Sequence, residues 1–161
     1  MSIIYLGVGT NQGDRDENLA RALNLIGQKT GRIIRSSSVY EAEPWGFESS
    51  HLFLNMVVKV ETELPPLTLL ETVHVIEDEL GRKRSTRRYV SRVMDIDILF
   101  YGNEILETKE LVIPHPLIGE RKFVLVPLAE IEPLFVHPVL RKTISQLLTG
   151  CSDSSEVILR G

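Results

Sequence analysis

Over its first hundred residues the chain switches repeatedly between two hydrophobic periods, and the order of those switches leaves few folds open. Residues 3–8 form a short apolar run that reads as a buried strand. Residues 14–27 carry Leu19, Leu23 and Ile26 at helical spacing, with Asp14 as cap and Glu17 three residues on. Residues 32–40 and 52–60 read as two strands, joined by a long loop holding Pro44, Trp45 and Gly46. Pro65 and Pro66 open a second helix, since proline suits a first turn. Leu69, Leu70, Val73, Ile76 and Leu80 form its apolar stripe, and Gly81 ends it. Residues 94–100 make a further strand, which residues 101–104 turn into a small hairpin. Beyond Pro114, prolines alternate with short apolar runs, and only residues 143–148 read as a helix. The order β-α-β-β-α-β predicts an α+β fold of the ferredoxin-like type. Its antiparallel sheet would carry helices on one face, followed by a C-terminal extension. A single domain over residues 1–161 accommodates this plan.

Composition narrows the function classes. The net charge of −4 gives no global attraction to nucleic acid or to an anionic membrane, so any anion site must be a local patch. The lone cysteine, Cys151, has no intrachain partner, which fits a reducing compartment. The first residues lack a basic lead and a long apolar run, and no stretch reaches the roughly 18 apolar residues of a membrane span. A cytoplasmic location is the expectation.

Four groups of residues carry possible chemistry. In Asp95-Ile96-Asp97 the strand period places both acids on one face and Met94, Ile96, Ile98 and Phe100 on the other. The acids then stand about 7 Å apart, opposite the core. Two carboxylates so close repel unless a cation or proton lies between them, and magnesium takes one or two carboxylates together with substrate phosphates. The alternative is a solvated strand face. The second group is the run Arg82, Lys83, Arg84, Arg87, Arg88 and Arg92, with no acid among residues 82–92. Guanidinium groups pair with phosphate oxygens at any relevant pH. Cations leading directly into an acid pair read as a polyphosphate site, against a nucleic-acid patch or a solvated run. His74 and Glu77 share a helix face toward Gly81, and either reach a nucleotide or face solvent. His115 lies between Pro114 and Pro116 in an extended or turned segment, as a phosphate donor or as plain surface. Phe53 and Phe123 read as core residues.

Two glycine motifs are excluded. Gly7-Val8-Gly9-Thr10-Asn11-Gln12-Gly13 is one residue too long for a dinucleotide fingerprint and lacks parallel βαβ units. The lysine-containing phosphate loop is absent. Three functions remain: a metal-dependent phosphate-group transferase, a non-catalytic nucleotide- or RNA-binding module, and a sugar transferase, for which 161 residues is short.

These residues together resemble the 6-hydroxymethyl-7,8-dihydropterin pyrophosphokinase family of folate biosynthesis. The most specific block is Arg88-Tyr89-Val90-Ser91-Arg92-Val93-Met94-Asp95-Ile96-Asp97-Ile98-Leu99. Supporting blocks are Gly7-Val8-Gly9-Thr10-Asn11, Tyr40-Glu41-Ala42-Glu43-Pro44-Trp45-Gly46, Phe53-Leu54-Asn55, Val112-Ile113-Pro114-His115-Pro116, Arg121-Lys122-Phe123 and Val126-Pro127-Leu128. The resemblance implies one pyrophosphokinase domain that moves pyrophosphate from ATP to the pterin hydroxymethyl group and releases AMP. It implies that Asp95 and Asp97 ligate two Mg2+ ions, and that Arg82, Arg84 and Arg92 balance charge, with Arg82 and Arg92 catalytic. His74, Glu77, Ile98, His115 and Arg121 would belong to the ATP side. Phe53 and Phe123 would sandwich the pterin and Asn55 would bond its edge, helped by Ala42, Glu43, Pro44 and Trp45. The implied partners are ATP and a reduced pterin, with no nucleic acid, membrane or obligate protein partner. The chain departs from common family choices at His74, where glutamine is frequent, and at Phe53, where tyrosine is frequent.

Overall fold

The computed structural model describes residues 1–42, 52–81 and 94–160. Its centre is β1 (Ser2–Thr10), whose side chains are buried on both faces of the sheet. Helix α1 (Arg15–Lys29) follows, and the backbone N–H of Glu17 donates to Asp14 Oδ1 at 3.1 Å, the cap that the sequence implies. The helix runs two residues beyond the expected Gly27 and closes on Thr30, whose hydroxyl donates to the Ile26 carbonyl at 2.7 Å. Gly31 then turns the chain at φ 153°, where a Cβ would sit 2.1 Å from the Glu61 carbonyl oxygen. Only glycine fits that approach.

The single strand expected over residues 32–40 is two strands, β2 (Arg32–Ser36) and β3 (Tyr40–Ala42). Both pair with β4 (Phe53–Thr62). Between them Ser37 bonds Val57 in both directions: its amide donates to the Val57 carbonyl and its hydroxyl accepts from the Val57 amide, each at 2.9 Å. Helix α2 (Pro66–Glu79) starts after Pro65 as expected, and β5 (Asp95–Tyr101) closes the sheet at one edge. The hairpin after β5 lies between β6 (Leu106–Glu107) and β7 (Val112–Ile113), which form a separate two-stranded sheet. Helices α3 (Lys122–Ile131) and α4 (Ile144–Thr149) and strand β8 (Val157–Leu159) complete the chain.

The main sheet runs β5-β1-β4-β3-β8, with β2 also on β4, and every pairing is antiparallel. On one face α1 and α2 bury Leu19, Ala22, Ile26, Leu69, Val73 and Ile76 against Ile4, Leu6, Val8, Val58 and Ile98. On the other, α3 and α4 bury Leu125, Leu128, Ile131, Ile144 and Leu147 against Tyr5, Val57, Leu99 and Phe100. The mixed architecture and antiparallel sheet agree with expectation. The expectation of helices on one face does not hold, because the C-terminal extension supplies a second helical layer. Its main element, α3, was missed because Pro127 lies inside it and reads as a breaker.

Strand β5 holds a second correction. Tyr5 pairs with Phe100 and Leu6 with Ile98, so Leu99 is an extra residue in the ladder. The bulge reverses the alternation. Phe100, expected beside Ile96 and Ile98, packs instead with Leu99 on the α3 face, and Tyr101 takes the α1–α2 face.

Candidate active site

Because of that bulge, Asp95, Asp97 and Phe100 all serve the face covered by α3. At the phenylalanine end the helix covers the sheet. At the aspartate end the helix only begins, and the sheet face is left open as a cavity of about 180 Å³. Its floor is Gly7, Gly9, Asn55, Val57 and the two acids; its walls include Phe53, Arg121, Phe123 and Val124. Gly9 stands opposite both Asn55 and Asp95 in the ladder. A Cβ on Gly9 would approach Asn55 Oδ1 to 2.7 Å, so glycine there is what lets the amide lie over the floor. Asn55 is 7% exposed, and its Nδ2 has no hydrogen-bond partner among the described residues. A buried amide with a donor unused and a cavity in front of it is built to meet a polar ligand edge. The Gly7-Val8-Gly9 pattern thus has a role unlike the phosphate-cradling one it resembles: it removes side chains from a pocket floor.

Asp95 and Asp97 also line a second cleft, of about 350 Å³, bounded by Leu70, His74, Glu77, Ile98, Glu110, Leu111, Val112 and His115. The two carboxylates, both half-buried, are therefore the shared border of two pockets. All four residues read as facing a nucleotide from α2 and the Pro114–Pro116 turn or from β5, namely His74, Glu77, Ile98 and His115, meet in this second cleft. Leu70 lines this cleft although its place in the apolar stripe of α2 marks it as core, and Glu110 to Val112 line it although only Val112 belongs to a block that resembles the family and none carries a ligand-type pattern.

Glu77 departs from the solvent-exposed alternative. It is 2% exposed, and its Oε2 accepts the backbone N–H of Ile96 at 3.0 Å. Ile96 sits between the two aspartates on an edge strand, so this bond ties the acid-bearing segment to α2. A buried amide left without such an acceptor would carry the full cost of its desolvation.

His115 is held by its own turn. Its amide donates to the Leu99 carbonyl at 3.0 Å, and its Nδ1 accepts from the Leu117 amide at 3.2 Å. The Ile113–Pro114 peptide before it is cis. With Nδ1 occupied as acceptor, Nε2 carries the hydrogen in the neutral ring. Burial lowers the imidazole pKa from 6.5, Asp97 opposes that, and Arg121 adds to it; the net direction is down. The ring therefore presents a neutral donor near pH 7. Arg121 lies on the wall of the first cavity, with its guanidinium carbon 5.6 Å from the Phe123 ring centre. It lines the first cavity and not the second cleft, although its charge bears on His115 of that cleft.

Phe53 and Phe123 are half-buried walls of the first cavity rather than buried core residues, although Phe123 also packs against the α3-side core. Ala42 is buried and pairs with Phe53 in the β3–β4 ladder, without lining the cavity itself. Glu43, Pro44, Trp45, Arg82, Arg84 and Arg92 lie outside the described residues.

Among the described residues no group of three or more His, Cys, Asp or Glu side chains forms a metal cage. Two neighbouring carboxylates are nevertheless what a magnesium ion takes from a protein when substrate phosphates and water complete its shell. Hard oxygen donors on the border of two clefts fit that group. Among the described residues no helix is long and apolar enough to cross a membrane.

Comparisons with known proteins point one way. Residues 5–133 match the family model of 7,8-dihydro-6-hydroxymethylpterin-pyrophosphokinase. The 2-amino-4-hydroxy-6-hydroxymethyldihydropteridine pyrophosphokinase of Aquifex aeolicus is 41% identical over 146 residues, covering 91% of this chain and 90% of the relative. The enzyme of the same name from Bacillus subtilis is 45% identical over 131 residues, covering 81% of this chain and 78% of the relative. Among solved structures, wild-type Plasmodium falciparum HPPK-DHPS with SDX-DHP superposes with a TM-score of 0.73 at 22% identity. That match covers 92% of this chain and 43% of the solved one, so this chain spans less than half of that protein, and the likeness speaks to fold alone.

Proposed function

The chain belongs to the 7,8-dihydro-6-hydroxymethylpterin-pyrophosphokinase family, and on that premise we propose how its residues divide the work. The reaction moves pyrophosphate from ATP to the hydroxymethyl group of 6-hydroxymethyl-7,8-dihydropterin, in folate biosynthesis. The pterin hydroxyl oxygen forms a bond to the β-phosphorus, the bond from that phosphorus to the α–β bridging oxygen breaks, and AMP leaves with that oxygen. The hydroxyl proton is given up to solvent or to a nearby base.

The observation that carries the assignment is the shared border: Asp95 and Asp97 line both clefts. The cavity of Phe53, Asn55 and Phe123 takes the pterin. Its rings stack between the two phenyl groups, and the unused Asn55 donor meets an acceptor on the heterocycle edge. The cleft of His74, Glu77, Ile98 and His115 takes ATP. The hydroxymethyl group and the β-phosphorus then meet above the aspartates, where positioning supplies much of the rate of a transfer that needs no covalent enzyme intermediate.

Asp95 and Asp97 would hold two magnesium ions. When bound, magnesium neutralises polyphosphate charge and lowers the pKa of a ligated hydroxyl. The neutral His115 donates from Nε2 to a phosphate oxygen without adding a charge that Asp97 would trap. Arg121 lines the pterin cavity and bears by its charge on His115 of the ATP cleft. Arg82, Arg84 and Arg92, with chemistry suited to an anion in transit, would balance charge on the transferred group. By the family resemblance, Ala42, Glu43, Pro44 and Trp45 would complete the pterin side. The ferredoxin-like type is supported by the edge-to-centre order β5-β1-β4, with β2 and β3 beyond.

The test is the nucleotide released. Protein, magnesium, ATP and the reduced pterin together should give AMP in step with pterin pyrophosphate, and Asp97→Ala should give none. AMP production by that variant at the wild-type rate would remove Asp97 from the metal site.

A further inference from the structure

We infer that residues 153–160, which follow the stretch matched by the family model, position both aromatic walls of the first cavity. The inference rests on assigning that cavity to the pterin. The two phenyl rings come from distant elements. Phe123 is the second residue of α3, and Phe53 the first of β4. A planar ligand stacks on both only if their separation and tilt are fixed, and each ring stands at the end of its element, where backbone ends fray.

The Phe123 wall is held by Asp153. No side chain at Arg121 caps α3. Instead the backbone N–H of Lys122 donates to Asp153 Oδ2 at 3.1 Å, across 31 residues of chain. The other oxygen of Asp153 is fixed by the amide and hydroxyl of Ser155, at 2.9 and 2.6 Å. A carboxylate on the first amide of a helix is a capping contact in the favourable sense of the helix dipole, here supplied from outside the helix. It acts one residue from the stacking ring.

The Phe53 wall is held by β8 and Arg160. Phe53 pairs with Ala42, at the end of the three-residue strand β3. The far edge of β3 is covered by β8, with Val157 opposite Ala42. Arg160 then fastens the pair to α1. Its Nε and Nη2 donate to both oxygens of Asp16, at 3.2 and 2.8 Å, while Nη1 donates to Glu41. Its amide donates to the Val39 carbonyl at 2.9 Å. Beside Asp16, Arg15 Nη1 donates to the Leu52 carbonyl at 2.7 Å, the residue before Phe53. A bidentate guanidinium with a third acceptor on another element defines relative placement in a way that a single exposed ion pair does not. One segment therefore reaches both walls.

Asp153→Ala and Arg160→Gln test the idea, with Phe123→Ala as the reference and Asp153→Asn as the conservative change. Dissociation constants for the reduced pterin and for magnesium-ATP are measured separately, beside kcat, KM and melting temperature. Each of the first two variants should raise the pterin Kd and KM about fivefold, the equivalent of one hydrogen bond. The magnesium-ATP Kd should stay within about twofold, with kcat at saturating pterin close to wild type. Asp153→Asn keeps an acceptor for the Lys122 amide and should recover most of the loss. Equal weakening of both ligands, or no weakening of pterin where Phe123→Ala does weaken it, overturns the inference. If Phe123→Ala itself leaves pterin binding unchanged, the cavity assignment fails and the inference falls with it.

Discussion

The two faces of the sheet are packed to different ends. Against α1 and α2 the sheet offers an unbroken apolar surface from Ile4 and Leu6 to Ile96 and Ile98. Against α3 and α4 it is apolar only where Tyr5, Leu99 and Phe100 lie; toward Gly9, Asn55 and Asp95 it becomes polar and loses side chains. The first face is closed over its centre and contributes stability; only its β5 edge, where α2 and Ile98 border the second cleft, is open. The second is closed at one end and open at the other, and the open end carries the chemistry. A sheet can bear a polar, partly empty surface on one side when the other side supplies the cohesion.

The sharpest way to break that contrast is to damage each face and ask which property falls. Asp97→Ala on the open end should reduce pyrophosphoryl transfer by roughly a thousandfold or more. Its ligand-free melting temperature should hold or rise slightly, because a like charge beside Asp95 is gone. Wild type should gain thermal stability from magnesium-ATP and the variant should lose most of that gain. Leu6→Ala on the closed face, at a residue with no exposed surface, should do the reverse. Stability should drop by about 2–5 kcal/mol, with ligand affinities of the folded fraction unchanged. Denaturant unfolding and calorimetric titration separate the two; a Leu6→Ala protein with wild-type stability would mean the closed face is not what holds the sheet.

Two smaller effects refine the contrast, one at the open end and one at the β5 edge of the α1–α2 face. Phe123→Ala should weaken pterin binding by about 1–3 kcal/mol and leave ATP binding alone, since a stacking surface is lost on one side only. Glu77→Ala should cost about 1–3 kcal/mol of stability by leaving the buried Ile96 amide without its acceptor, and Glu77→Gln should cost less. A change in the ATP Kd with no change in stability would show that Glu77 serves the ligand and not the strand.

The smallest effect concerns pH. Burial pushes the Asp153 carboxyl up, but bonds from the Ser155 hydroxyl and amide and the Lys122 amide, with the Lys122 charge, bring it below 3.8. A carboxyl with a depressed folded pKa adds stability above its unfolded value, and that addition is lost as pH falls through the folded one. The gap in melting temperature between wild type and Asp153→Asn should therefore be constant from neutral pH down to about pH 4 and shrink below it. A gap that persists unchanged at pH 2 would mean the charge of Asp153 adds nothing.

What could be read from the sequence was what local chemistry decides. Asp14 caps α1 because an acid before an apolar stripe has few better uses, and Asp95 and Asp97 share a face because two strand steps separate them. What could not be read depended on partners far along the chain. Pro127 hid α3, since the burial of Leu125 and Leu128 that overrides its cost is a property of the sheet beneath. Glu77 read as nucleotide-facing or as surface and not as a strand anchor, because its acceptor role needs Ile96, 19 residues away. Phe53 and Phe123 looked like core because a wall of a cavity and a wall of a core have the same composition.

The extra residue at Leu99 has a reach larger than its size. A strand spells its two faces in a two-letter code, and an insertion of one letter shifts the frame of everything after it. Upstream of the shift, β5 addresses the α3 side with acids; downstream, it addresses the same side with an aromatic ring, and without the shift Phe100 would be spelled into the opposite core. One strand is thereby able to write a hydrophilic word and a hydrophobic word on a single page, and the boundary between reaction vessel and scaffold falls where the frame changes.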